Sequence, residues 1–107
     1  MPVKKQFLKS KPVVKVTFEI EPEAARNASE AYLLCEALGW QKEPLKKQKS
    51  GAFKAVVELP TDQKEDYEYR FCLKLDSGEE LYDNDWAAES YRANPLGGDN
   101  SVVSVRA

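Results

Sequence analysis

The chain has 107 residues, with 16 lysines and arginines against 18 aspartates and glutamates, a net charge of −2 and no histidine. With 42% hydrophobic and 32% charged residues it reads as one folded domain rather than a disordered segment, and no global positive field recruits nucleic acid or an anionic membrane. The missing histidine excludes Ser-His-Asp and Cys-His nucleophilic machinery, and two cysteines complete neither a structural zinc site nor a disulfide framework, so no metal and no cofactor is expected.

Residues 1–12, MPVKKQFLKSKP, hold the only basic run and read as a frayed N-terminal tail, with one module over 13–107. No apolar run of signal-peptide length follows the lysines, and no stretch is long enough to span a bilayer, which predicts a cytoplasmic protein. Then comes VVKVTFEI, in which Val14, Val16, Phe18 and Ile20 alternate with Lys15, Thr17 and Glu19. That period of two is the mark of a strand with one buried face, and Pro22 closes it.

Residues 23–38 point two ways. Ala24, Ala28, Ala31, Cys35 and Leu38 recur at amphipathic-helix spacing, and the residue types are good helix formers. Against that stand the turn Asn27-Ala28-Ser29 and the alternation of Ala31, Leu33 and Cys35. Trp40 follows Gly39 in a polar, turn-forming stretch, either as a plug folded back over the sheet or as a flat ring shown to a ligand. Residues 45–48 predict a short edge strand guarded by Lys46 and Lys47. Ser50-Gly51 turns into 52–59, where Phe53, Ala55, Val57 and Leu59 alternate. The clearest strand is 67–75, with Tyr67, Tyr69, Phe71, Leu73 and Leu75 on one face and Glu68, Arg70, Cys72 and Lys74 on the other. Cys72 is therefore expected to face outward and Cys35 inward, both reduced. A brief segment at 80–82, a long irregular stretch over 83–100 and a last strand at 101–106 complete about seven short strands, an all-β sandwich.

Five segments carry a resemblance: AYLLCEALGW, GAFKAVVELP, YEYRF, YDNDW and NPLGGDNSVVSV. In this order they resemble carbohydrate-binding module family 48. That family comprises the early-set domains beside isoamylases and branching enzymes and the glycogen-binding domain of the AMP-activated kinase β subunit. The likeness runs over about 13–105. It implies an immunoglobulin-like β-sandwich of the early-set type, a loop and then a strand over about 30–37, and non-catalytic binding of an α-1,4-linked glucan such as glycogen, starch or a maltooligosaccharide. It implies a glycogen-metabolising enzyme or a kinase complex as protein partner. By the same resemblance Trp40 is the sugar-stacking ring, Arg70 the basic residue that reaches the sugar, Tyr82 the second ring, and Leu96 and Asn100 the positions that contact glucose. Cys35-Glu36-Ala37-Leu38-Gly39-Trp40 stands where the family has Gly-x-Phe-Asn-x-Trp, Tyr82 replaces a tryptophan, Trp86 a proline, and Gly98 a hydroxyl residue.

The residues themselves suit a glucan, whose flat C–H faces need exposed rings and whose hydroxyl rim needs polar side chains. Each has a plainer alternative: Trp40 in the core, Tyr82 and Trp86 packed under the long loop, Arg70 paired with an outward glutamate, Leu96 and Asn100 shaping the last turn. Lys46, Lys54 and Glu68 are further candidates that spacing does not place. Asp83 and Asp85 are carboxylates of the kind glycoside hydrolysis uses, yet neighbours on one short segment seldom straddle a bond, and no enzyme is expected. The alternative to glucan binding is a protein-docking module on the same fold.

Overall fold

Wherever the sequence alternates, the chain is extended and one face is buried. The structure, a computed structural model, describes residues 4–85, 88–94 and 98–106. Within these the strands are β1 (Lys4–Phe7), β2 (Val13–Ile20), β3 (Glu30–Cys35), β4 (Glu43–Lys47), β5 (Phe53–Pro60), β6 (Asp66–Lys74), β7 (Glu80–Asp83), β8 (Ser90–Ala93) and β9 (Asp99–Ser104). One short helix, α1 (Pro22–Ala25), and a 3-10 turn over Glu36–Leu38 are the only helical pieces among the described residues.

All pairings are antiparallel, in the order β1-β2-β5-β4-β3-β6-β9-β8, with β7 beside β6. The sheet curls over at β4. Its first part, Glu43 to Leu45, pairs with β3, and Lys46 and Lys47 pair with Lys54 and Phe53 of β5. A strand that changes partners in this way makes the corner between two layers. Val14, Val16, Phe18 and Leu59 of one layer meet Leu33, Tyr69, Phe71, Leu73 and Val103 of the other in a single core. Phe18 packs edge-on to Tyr69 with ring centroids 4.9 Å apart. Burying each such side chain contributes about 1.5–3 kcal/mol, which makes this interlayer seam the main source of stability.

The segment with helical spacing is mostly strand. Pro22 opens α1, but Arg26 and Asn27 both take left-handed φ (51° and 59°) and end it after one turn. Residue Ser29 then ties to β6 by its N–H and its hydroxyl, both donating to the Lys74 carbonyl at 2.9 and 3.1 Å. From Glu30 the chain is held by β6, and from Ala31 to Leu33 by β4 on the other side as well. Two ladders of backbone hydrogen bonds outweigh a helix propensity worth only tenths of a kcal/mol per residue. The strand begins at Glu30 as expected and ends at Cys35, because Glu36 to Leu38 turn into the 3-10 piece.

Four expectations are corrected. The tail over 1–12 is partly strand: β1 pairs with β2, Lys4 opposite Thr17 and Phe7 opposite Val14, and so covers an otherwise open edge. The edge strand expected at 45–48 is β4, which starts earlier, at Glu43, and has one neighbour at each point, β3 as far as Leu45 and β5 at Lys46 and Lys47. The stretch 83–100 is not irregular throughout, because β8 lies along β9 from Ser90 to Ala93. With β1 and β8 the strands number nine among the described residues rather than seven. Cys72 keeps its outward parity but is fully buried, since Tyr32 of β3 and Tyr82 of β7 stand opposite it on either side. Cys35 is buried inward as expected, and both thiols are free. Among the described residues no helix is long and apolar enough to cross a membrane.

Candidate functional site

The outer face of β6 and its neighbours forms an open groove of about 640 Å³. Parity assembles it. Odd-numbered residues of β6 from Tyr67 to Leu73 enter the core, which sends Glu68 and Arg70 to the other face. Leu34 of β3 stands opposite Arg70, Tyr82 of β7 opposite Cys72, and Asn100 of β9 opposite Arg92 of β8. Trp40 comes from the loop after β3, and together Trp40, Arg70, Tyr82 and Asn100 line one depression. Leu96 and Trp86 lie outside the described residues.

Both rings are open to solvent, Trp40 at 43% and Tyr82 at 53%. Trp40 is thus no core plug. Its place is set by a left-handed exit from the 3-10 turn, with Gly39 at φ 68° and Trp40 itself at φ 62°. The Gly39 N–H donates to the Glu36 carbonyl at 3.1 Å and the Trp40 N–H to the Cys35 carbonyl at 3.0 Å, which closes the turn. Glycine takes this conformation freely. A tryptophan there carries backbone strain of about 1–2 kcal/mol.

Between the rings lies a polar floor. Asn100, buried, donates from Nδ2 to Glu68 Oε1 at 2.9 Å and accepts from Asn94 Nδ2 at 3.3 Å. Glu68 also meets Arg92 Nη1 at 3.3 Å, and Arg92 pairs with Asp66 at 3.0 Å. Its two acidic partners, Asp66 first, push the Arg92 guanidinium still higher in pKa. Glu36 accepts from the Glu68 N–H at 3.2 Å and pairs with Lys64. Burial alone would raise the Glu36 carboxyl, but the Lys64 ammonium and the Glu68 N–H outweigh it and hold it below the ordinary range.

Arg70 differs from these groups. The carboxylates that line the groove are engaged elsewhere, Glu36 with Lys64 and Glu68 with Arg92 and Asn100. Among the described residues the buried Arg70 Nε has no hydrogen-bond partner. The plainer alternative, Arg70 paired with an outward glutamate, is therefore not seen among the described residues. An orphaned buried donor is costly, about 1–3 kcal/mol, unless something else supplies an acceptor. The remaining candidates fall elsewhere: Lys46 and Lys54 are register partners in the other layer. Asp85 is buried and accepts a hydrogen bond from the Tyr69 hydroxyl, while Asp83 pairs with Arg26 at 3.5 Å. Among the described residues no group of three histidine, cysteine, aspartate or glutamate side chains could hold a metal ion.

Leu34, Glu36 and Asn94 also line the groove and are not among the residues singled out from sequence. Leu34 has a legible signal, a large apolar residue at the outward parity of its strand. Glu36 and Asn94 sit in turns, where spacing carries no facing information. No family model matches the chain, and no curated protein matches it.

Proposed function

We propose that the protein is a non-catalytic, cytoplasmic binding module for α-1,4-linked glucan, an immunoglobulin-like domain of the carbohydrate-binding module family 48 type. The observation that carries this reading is the pairing of two exposed rings, Trp40 and Tyr82, in one groove with Arg70, whose Nε has no hydrogen-bond partner among the described residues. The rings offer flat faces for the C–H surfaces of glucose units. The guanidinium offers rigid donors for ring and hydroxyl oxygens. Asn100, pinned by Glu68 and Asn94, offers its remaining donor and acceptor capacity at a fixed orientation. Because the groove is open, it suits an internal stretch of a polysaccharide as well as a free maltooligosaccharide. Its protein partner in this reading is a glycogen-metabolising enzyme or a kinase complex.

An open site of this kind binds with a dissociation constant of about millimolar to micromolar. The test is retardation in native gels cast with glycogen, comparing wild type with Trp40→Ala. The wild type should be slowed and the folded variant should run free. A folded wild type that ignores glycogen would contradict the reading and leave the groove to a protein partner.

A further inference from the structure

The Trp40 ring of the groove is carried by a turn, not by a strand. Trp40 belongs to no strand and holds a left-handed φ of 62°. Residues 36–40 make one side-chain hydrogen bond to the sheet among the described residues, from the Glu68 N–H to Glu36 Oε1. The place of that bond is informative. The ladder between β3 and β6 ends at Cys35 opposite Tyr69. One residue further along, past the end of that register, the Glu68 N–H donates to the Glu36 carboxylate at 3.2 Å. The same Glu68 presents Oε1 to Asn100 Nδ2. A short chain of bonds thus runs from the turn that carries Trp40 to the polar floor of the groove.

We propose that Glu36 is a positioning residue for sugar binding, locking the Trp40 turn onto β6 so that the indole is held over the floor before ligand arrives. The proposal rests on the glucan reading for its ligand but makes a separate claim about the free protein. Glu36 touches the groove wall and acts through the backbone: its carboxylate fixes the first residue of the turn, and the closed turn fixes the ring. The pairing of Glu36 with Lys64 orients the carboxylate from the solvent side and is secondary, because Lys64 is exposed. Holding a large side chain in its bound orientation removes an ordering cost that binding would otherwise incur.

The test uses the full chain labelled with 15N, first without ligand and then with maltoheptaose. In Glu36→Ala the Trp40 indole N–H should show larger fast motion and the Glu68 amide should exchange faster, while affinity for maltoheptaose falls about fivefold. Glu36→Gln keeps a carbonyl oxygen for the Glu68 N–H and should restore all three toward wild type. Lys64→Ala leaves the Glu36 carboxylate in place and should keep Glu68 protected. Unchanged indole motion and amide exchange in Glu36→Ala would overturn the proposal, as would a Glu36→Gln variant that behaves like Glu36→Ala. If the wild type binds no maltoheptaose the glucan reading fails, and the ligand-free measurements still decide whether Glu36 holds the turn.

Discussion

Tyr69 donates its hydroxyl proton to Asp85 Oδ2 at 2.7 Å, across the end of the core. Both residues are buried, and the Asp85 N–H is met in turn by the Ser101 hydroxyl at 2.9 Å. The Tyr91 hydroxyl donates to the Asp85 carbonyl at 2.6 Å. One aspartate therefore ties β6, β8 and β9 together behind the groove, which gives Asp85 a structural role. Tyr69→Phe removes one hydrogen bond to a buried carboxylate and should cost about 1.5–3 kcal/mol of stability. Asp85→Ala should cost at least as much, and the double variant less than the sum, since both remove the same bond. Urea titration of the four proteins checks this.

The backbone at Trp40 makes a second prediction that separates strain from ring chemistry. Trp40→Ala and Trp40→Gly both delete the indole, but only glycine relieves the left-handed φ of 62°. Trp40→Gly should be about 1 kcal/mol more stable than Trp40→Ala, a shift of several degrees in Tm for a domain of this size. Both should lose glycogen retardation alike. Equal melting temperatures would show that the turn is not strained.

Stability should fall at high pH. Burial pushes the Cys35 thiol up to about 11, and burial with the Asp85 hydrogen bond drives the Tyr69 phenol further upward. Tyr67 and Cys72 move the same way, each chiefly by burial. In each case the folded state disfavours the anion. The contribution is complete below the ordinary thiol and phenol values, about 8.5 and 10, and is lost as pH rises and the unfolded chain ionises first. Urea midpoints should decline from about pH 9 upward, and a thiol reagent at pH 8 should modify neither cysteine until the protein unfolds. A flat profile to pH 11 would contradict the burial of these groups.

No sugar chemistry is expected at the carboxylates. Asp85 is occupied by Tyr69, and Asp83 by Arg26. Incubation with glycogen or maltoheptaose should release no reducing ends above blank, and release that vanished in Asp83→Ala would refute a purely binding role.

What the sequence made legible follows from strand geometry. A period of two assigns a side chain to a face, so the inward set Val14, Val16, Phe18, Tyr69 and Phe71 and the outward Arg70 could be read directly. Parity does not say what lies on top of an outward residue. Cys72 is outward yet buried because Tyr32 and Tyr82 flank it, and those are contacts between strands distant in sequence. The same limit hid β1 and β8. Each is short, polar and exposed on most of its residues, and each is extended because β2 or β9 offers an open edge. Glu36 was illegible for a different reason: its role depends on where the β3 ladder stops, which neither spacing nor propensity encodes.

In the proposed function Trp40, Arg70, Tyr82 and Asn100 act together as one glucan site. The most direct measurement is a maltoheptaose titration followed by 15N–1H spectra that include the tryptophan indole and arginine side-chain signals. Saturable shifts are expected at the Trp40 indole, the Arg70 Nε–H and the amides of Tyr82 and Asn100, with one common Kd of about millimolar to micromolar. Residues of β1 and β2 on the opposite layer should stay still. Saturable shifts confined to other surfaces, or none at these four residues at high millimolar sugar, would contradict it.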